Sequence, residues 1–355
     1  MFVRTRRRCA AALLLVLGAS LALSACGSSS DEGSDGGDHL VIGISNPQGA
    51  QPILKITQDA FTAAAAKDGM TVKALDAQLD PAKQVTDIDQ LVAQHVDAII
   101  VYPLDANSLR PALDRAQKAG IKLIGWAAVP TPNGDLGVYD ANVDTGGSYR
   151  GARLLSDFVK ERLDGKGNVL GVGLGIPVPT LEAMLKSYQS DVTEGSDITW
   201  SGRADNPTDD IAGAQKVVAT ALTRFTNDIQ AIMAYNDSSA IGAAVAAKSA
   251  GVTSMVIVGQ NGDQDGVDAV KDGRISATIN LVPWRTGLIL ETLTKAVLAG
   301  EKGVPAYVES PSELVTQETA ADYLGWSDAV SQIKAGTLSC ASGGGCPDGV
   351  MALDK

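Results

Sequence analysis

The chain has 355 residues, 45% of them apolar and 20% charged, with a formal charge of −12 at neutral pH. That length supports two domains, each with its own core, and the acidic balance repels phosphate, which argues against nucleic acid as a partner. Two histidines, His39 and His95, are too few for a histidine-rich metal site or a histidine-based catalytic triad.

Arg4, Arg6, Arg7 and Arg8 precede an apolar run over residues 10–23 that is too short to span a membrane and ends in small residues. Residues 1–25 therefore read as a secretory signal. Its ending, Leu23-Ser24-Ala25-Cys26, resembles the bacterial lipobox, which implies that Cys26 becomes the lipidated first residue of the mature chain. The competing reading is ordinary signal cleavage, with Cys26 an incidental thiol. Residues 26–38 continue as Gly, Ser, Asp and Glu without an apolar residue after the cysteine, the composition of a flexible tether.

The fold begins at His39. Residues 40–45 predict a strand, 46–51 a polar loop, and 52–67 a helix with Ile53, Ile56, Ala60, Phe61 and Ala64 at helical spacing. A strand over 71–75 and a helix over 81–94 follow, with Asp80 placed to cap the helix and Pro81 at its first position. The organising stretch is Asp97-Ala-Ile-Ile-Val-Tyr-Pro-Leu-Asp105. Its short apolar run reads as a strand buried on both faces, and Pro103 ends the ladder. A helix over 108–119 and a strand over 121–126 complete a series of β-α units, which predicts a parallel sheet. Ligands of such sheets bind beyond the carboxyl ends of the strands, so Tyr102 and Asp105 stand where a ligand would lie.

Glycine and aspartate break the rhythm at 133–142. It resumes with helices over 147–163, 180–194, 209–225, 237–250 and 265–272, alternating with strands over 168–173, 198–202, 231–235 and 255–259. Residues 277–280, a helix over 284–299 and Tyr307-Val308 read as returns between two halves. Cys340 and Cys346 flank Ala-Ser-Gly-Gly-Gly and predict a small disulfide loop outside the cytoplasm; a two-cysteine metal site lacks other ligands nearby.

From about Leu40 to Leu314 the chain resembles the ribose-type periplasmic binding proteins, whose fold LacI-type repressors share. The resemblance rests on Val41-Ile-Gly-Ile-Ser45, the stretch 97–105, and Ala119-Gly-Ile-Lys-Leu-Ile124. Ala231-Ile-Met-Ala-Tyr-Asn-Asp237, Val256-Ile-Val-Gly-Gln-Asn-Gly262 and Ala277-Thr-Ile-Asn-Leu-Val-Pro283 carry it further. It implies an α/β type I fold: two doubly wound parallel-sheet lobes joined by a three-strand hinge, with a ligand in the cleft. The lobes are expected at 39–141 plus 283–310 and at 142–282 plus 311–338, with a disulfide-bearing tail at 339–355. A signal and tether stand where a repressor would carry its DNA-binding helices.

The resemblance implies a lipid-anchored extracytoplasmic binder, monomeric and without a cofactor, that passes a small molecule to an ABC permease. It is not expected to be an enzyme: no Ser-His-Asp set, phosphate-cradling loop or histidine-bearing metal motif occurs. A sensor that presents its ligand to a membrane receptor is the alternative. The sequence departs from the sugar-binding pattern at several positions. Ala127-Ala128 replace an Asp-Arg pair, Glu182, Met184 and Lys186 occupy the region of an expected arginine, and Asn261 replaces an aspartate. Leu281 replaces a glutamine, with Asn280 one place earlier.

The candidate ligand-binding residues are Gln51, Tyr102, Trp126, Asn236, Asn261 and Asn280. Asn236 leads them, with Asp237 assigned to the helix cap. Asn261 reads equally as a turn residue, and Gln48 and Gln51 equally as surface. Trp284 reads as packing near the hinge. Asp205, Asp209 and Asp210 read as a solvated loop and helix start. Amides and flat aromatic walls suit hydroxyls and carbonyls rather than a full charge, which predicts a small neutral, polyol-like or modified-sugar ligand.

Overall fold

The computed structural model describes residues 39–131 and 133–353; the expected signal, Cys26 and the tether lie outside the described residues. The first run of elements is β1 (Val41–Asn46), α1 (Pro52–Lys67), β2 (Thr71–Asp76), α2 (Pro81–Ala93), β3 (Ala98–Val101), α3 (Ala106–Lys118), β4 (Lys122–Trp126) and β5 (Ala141–Asp144). A π-helical turn, Gly147–Gly151, then leads into α4 (Ala152–Arg162), β6 (Lys166–Leu174), α5 (Pro179–Thr193), β7 (Asp197–Asn206), α6 (Ile211–Arg224) and β8 (Ala231–Ala234). The remainder is α7 (Asp237–Ser249), β9 (Val256–Asn261), α8 (Gln264–Lys271), β10 (Ala277–Asn280), α9 (Pro283–Leu298), β11 (Tyr307–Glu309), β12 (Glu313–Val315), α10 (Trp326–Ala335) and α11 (Asp348–Met351).

Two six-stranded sheets result, ordered β11-β5-β4-β3-β1-β2 and β12-β10-β9-β8-β6-β7. Their strand pairs are parallel except β10 with β12. β3 is buried along its whole length, as a short β-branched run between two helical layers must be. The helix starts follow from local chemistry. Asp80 accepts from Ala82 N–H at 2.8 Å at the head of α2, and Pro81 supplies a preset φ. The strand expected at 198–202 runs on to Asn206, because Gly202 (φ 136°) marks a bulge against Val169/Leu170 rather than a stop.

The chain crosses between the sheets after β5, after β10 and between β11 and β12. It crosses once more after β12. Residues 326–338, expected with the second lobe, lie in the first: Trp326, Ala329, Val330 and Ile333 form an apolar stripe at helical spacing, buried against the core around β1, β4 and α9. The tail joins the same core, where Cys340 and Cys346 are disulfide-bonded with Cα atoms 5.2 Å apart. Gly287 lets α9 approach α1 closely, since a Cβ there would stand 2.6 Å from the Thr57 carbonyl oxygen.

Candidate ligand site between the two sheets

A cavity of about 90 Å³ lies where the carboxyl ends of the two sheets face each other. Tyr102 and Trp126 line it from the ends of β3 and β4, and Tyr235, Asn236, Gln260 and Asn261 from the ends of β8 and β9. Among the described residues its lining holds no lysine, arginine or histidine, and Asp209 is its formal charge. Ile53, Leu79, Tyr102 and Leu104 of the first lobe pack against the apolar cluster of Leu174, Val178 and Leu181 in the second, so the cleft is closed over the cavity.

Tyr102 and Trp126 meet edge to face, with centroids 5.4 Å apart at 82°. Such a pair adds roughly 1 kcal/mol beyond the burial of its area and holds both rings in place. Trp126 is 1% exposed, yet among the described residues its indole Nε1–H has no hydrogen-bond partner, and neither does the buried hydroxyl of Thr286 in α9. Both residues line the cavity. An unpaired buried donor costs on the order of 1–3 kcal/mol, a cost that a ligand oxygen would remove.

On the second lobe Asn236 does two things at once. Its Oδ1 accepts from Ser239 N–H at 2.8 Å and caps α7, the place assigned in advance to Asp237. Its Nδ2 donates to Asp209 at 2.8 Å. Asp237 is instead fully buried, accepting from the Thr278 hydroxyl at 2.5 Å and from the N–H groups of Gly262 and Asp263 at 2.8 and 3.0 Å. Burial pushes its carboxyl well above the usual range. Its grip on Gly262 and Asp263 fixes the turn that holds Asn261 at φ 123° against the cavity. Gln260 is held by the Tyr188 hydroxyl, which donates to its Oε1 at 3.2 Å.

Asp209 is the main correction to the sequence reading. It is not part of a solvated helix start: its carboxylate accepts from Tyr235 Oη–H, Asn236 Nδ2 and Gln51 Nε2, and it lines the cavity. Burial raises its carboxyl above the usual range, against the lowering effect of those donors. Asp210 is the helix cap, accepting from Gly213 N–H at 2.7 Å. Two further residues depart from expectation. Asp105 caps α3, taking Ser108 N–H at 2.6 Å, and does not line the cavity. Asn280 is turned away, its Oδ1 accepting from Val282 N–H at 3.0 Å and Trp326 Nε1–H at 3.3 Å. Trp284 sits in the first core, under the Arg285 guanidinium at 5.3 Å from the ring centroid.

Gln51, Tyr102, Trp126, Asn236 and Asn261 thus converge on one cavity, together with Gln48. Sequence reasoning passed over Thr180, Tyr235, Gln260 and Thr286. Tyr235 and Gln260 carried a usable signal, since each sits at the carboxyl end of a strand; Thr286, inside a helix, carried none. Ala127 and Ala128 stay outside the lining, the latter pinned by the Asn142 amide through bonds of 3.1 and 3.0 Å.

Residues 42–302 match the profile of a periplasmic binding protein domain. The ribose import binding protein of Bacillus subtilis is 27% identical over 283 residues, covering 79% of this chain and 88% of that protein. A xylitol-binding protein of Mycolicibacterium smegmatis is 32% identical over 242 residues, 64% of either chain. An ABC sugar transporter subunit from Rhodobacter sphaeroides superposes with a TM-score of 0.70 at 27% identity, covering 79% of this chain and 98% of that one.

Proposed function

The chain belongs to the periplasmic binding protein domain family, and from that premise we propose that it captures a small sugar- or polyol-like ligand between its lobes and delivers it to an ABC permease. The observation that carries this reading is the closed cavity, lined from both lobes, in which a buried indole N–H and a buried hydroxyl await an oxygen-bearing partner. Gln48, Gln51 and Asn261 add amides that serve hydroxyls in either direction. With Asp209 as the charge in the lining, an anionic ligand would meet repulsion and no counterion.

The relatives are named for binding and import, which supports a carrier rather than an enzyme. Members of this family work outside the cytoplasm. The lipobox-like ending at Cys26 supports attachment to the membrane surface by lipid. Among the described residues no helix is long and apolar enough to cross a membrane.

A thermal-shift screen of pentoses, hexoses, pentitols, nucleosides, amino acids and small aromatics tests the ligand class, because a ligand that binds only the native state raises the melting temperature. A sugar or polyol is expected to give the largest shift. A shift confined to amino acids or anions would overturn the assignment.

A further inference from the structure

We propose that Gln51 and Asp209 form a latch that draws the two lobes together even when the cavity is empty, which makes Asp209 a positioning residue for ligand capture. Gln51 stands at the N-cap of α1 in the first lobe, yet its side chain makes no capping bond. It reaches instead across the cleft, where Nε2 meets the Asp209 carboxylate and lies 3.5 Å from the Asp209 carbonyl oxygen. A polar N-cap side chain that leaves its own helix donors unserved has been given another partner.

Asp209 is built to receive it. Its backbone is left-handed (φ 54°), a conformation that is unfavourable for a non-glycine residue. Neighbours on both sides hold that turn: Asn206 Nδ2 donates to the Asp210 carbonyl at 2.9 Å, and Asp210 accepts from the Thr208 hydroxyl at 2.8 Å. Tyr235 and Asn236 of the second lobe both donate to Asp209 Oδ1, leaving Oδ2 directed at Gln51. Among the described residues the titratable groups facing this carboxylate are Tyr235 and Asp210, neither of them a cation that would compete with Gln51. The apolar seam of Ile53, Leu79, Tyr102 and Leu104 against Leu174, Val178 and Leu181 also joins the lobes, so the latch does not act alone.

A hydrogen bond to a half-buried carboxylate shifts the closed-to-open ratio by about tenfold. Because apparent affinity scales with the fraction of molecules in the competent form, loss of the latch lowers affinity through closure in addition to any contact that the Gln51 amide makes with the ligand. That consequence rests on the cavity being the ligand site; the bond between Gln51 and Asp209 does not.

The experiment is small-angle scattering on the ligand-free protein, comparing wild type, Gln51→Ala and Gln51→Glu, with melting temperatures recorded for each. Gln51→Ala is expected to increase the radius of gyration with little change in melting temperature. Gln51→Glu sets two carboxylates against each other, so it should open at neutral pH and close again in mildly acidic buffer, when the pair shares a proton. Gln51→Ala should show no such return. The proposal is overturned if wild type is as open as Gln51→Ala, if Gln51→Glu matches wild type at neutral pH, or if its opening ignores acid. Failure of all sugars and polyols in the thermal-shift screen would sink the ligand class and leave this result standing.

Discussion

The Trp126 N–H is buried with no partner among the described residues, so a ligand oxygen beside it would satisfy a desolvated donor. Trp126→Phe keeps an aromatic ring against Tyr102 and removes the donor. Affinity for the ligand found by screening should fall about tenfold, as one hydrogen bond in a desolvated site does, while the ligand-free melting temperature holds or rises. Titration calorimetry checks this, and undiminished affinity would place the ligand away from the indole. Asp237 behaves oppositely. Asp237→Ala strands the N–H groups of Gly262 and Asp263 and the Thr278 hydroxyl, so a loss of roughly 2–4 kcal/mol is expected in denaturant melts, together with weaker binding as Asn261 loses its fixed turn. Loss of stability with full affinity would show that Asn261 does not need that turn. Neither role was legible locally. The pair Asn236-Asp237 offers two side chains for one cap, and only the distant partners Gly262 and Thr278 decide which of them turns inward.

Among the elements, α9 joins more of the molecule than its sequence advertises. Arg285, near its start, donates from Nε to the Gly344 carbonyl at 2.7 Å and from Nη1 to the Pro311 carbonyl at 2.8 Å, tying the disulfide loop to the β11–β12 crossover. Removing the disulfide as Cys340→Ser/Cys346→Ser frees a short loop in the unfolded chain, for a loss of roughly 2 kcal/mol. The melting temperature of wild type in strong reductant should approach that of the double variant. A variant that melts like oxidised wild type would show that the tail contributes nothing to the first core. The cysteine spacing made the loop readable in sequence, but its docking depended on α10, whose stripe finds its partner only after the chain has returned from the second sheet.

For the whole molecule, pH is the informative variable. Burial raises the carboxyls of Asp144, Asp209, Asp237 and Glu309 above their usual range. A group raised in the folded state contributes stability that is present at low pH and lost as pH rises through its folded value. The chain's negative charge adds repulsion in the same direction. The melting temperature should therefore fall between mildly acidic and neutral pH. At still lower pH the trend reverses, because the helix caps Asp105 and Asp210, held below the usual range by backbone N–H donors, become protonated. A melting temperature that climbs steadily to neutrality would show that the buried carboxylates are better compensated than their surroundings indicate.

The α/β class, the alternation of strands and helices and the position of Tyr102, Trp126, Asn236 and Asn261 at strand ends were all set by short-range features: β-branched runs, prolines that stop a ladder, and helical spacing of apolar residues. Those features state where a strand ends and hence which residues stand near a ligand. They do not state which way the chain turns next. Asp105 and Asn280 also follow or end strands, yet their carbonyl and carboxylate oxygens are claimed by Ser108, Val282 and Trp326. Asp209 stands in an acidic loop that reads as solvated, and it enters the cavity because Tyr235, Asn236 and Gln51, none of them adjacent in the chain, converge on it. Side-chain direction at a loop is decided by the donors and acceptors that the packed sheets bring within reach, and those exist only once both lobes have formed.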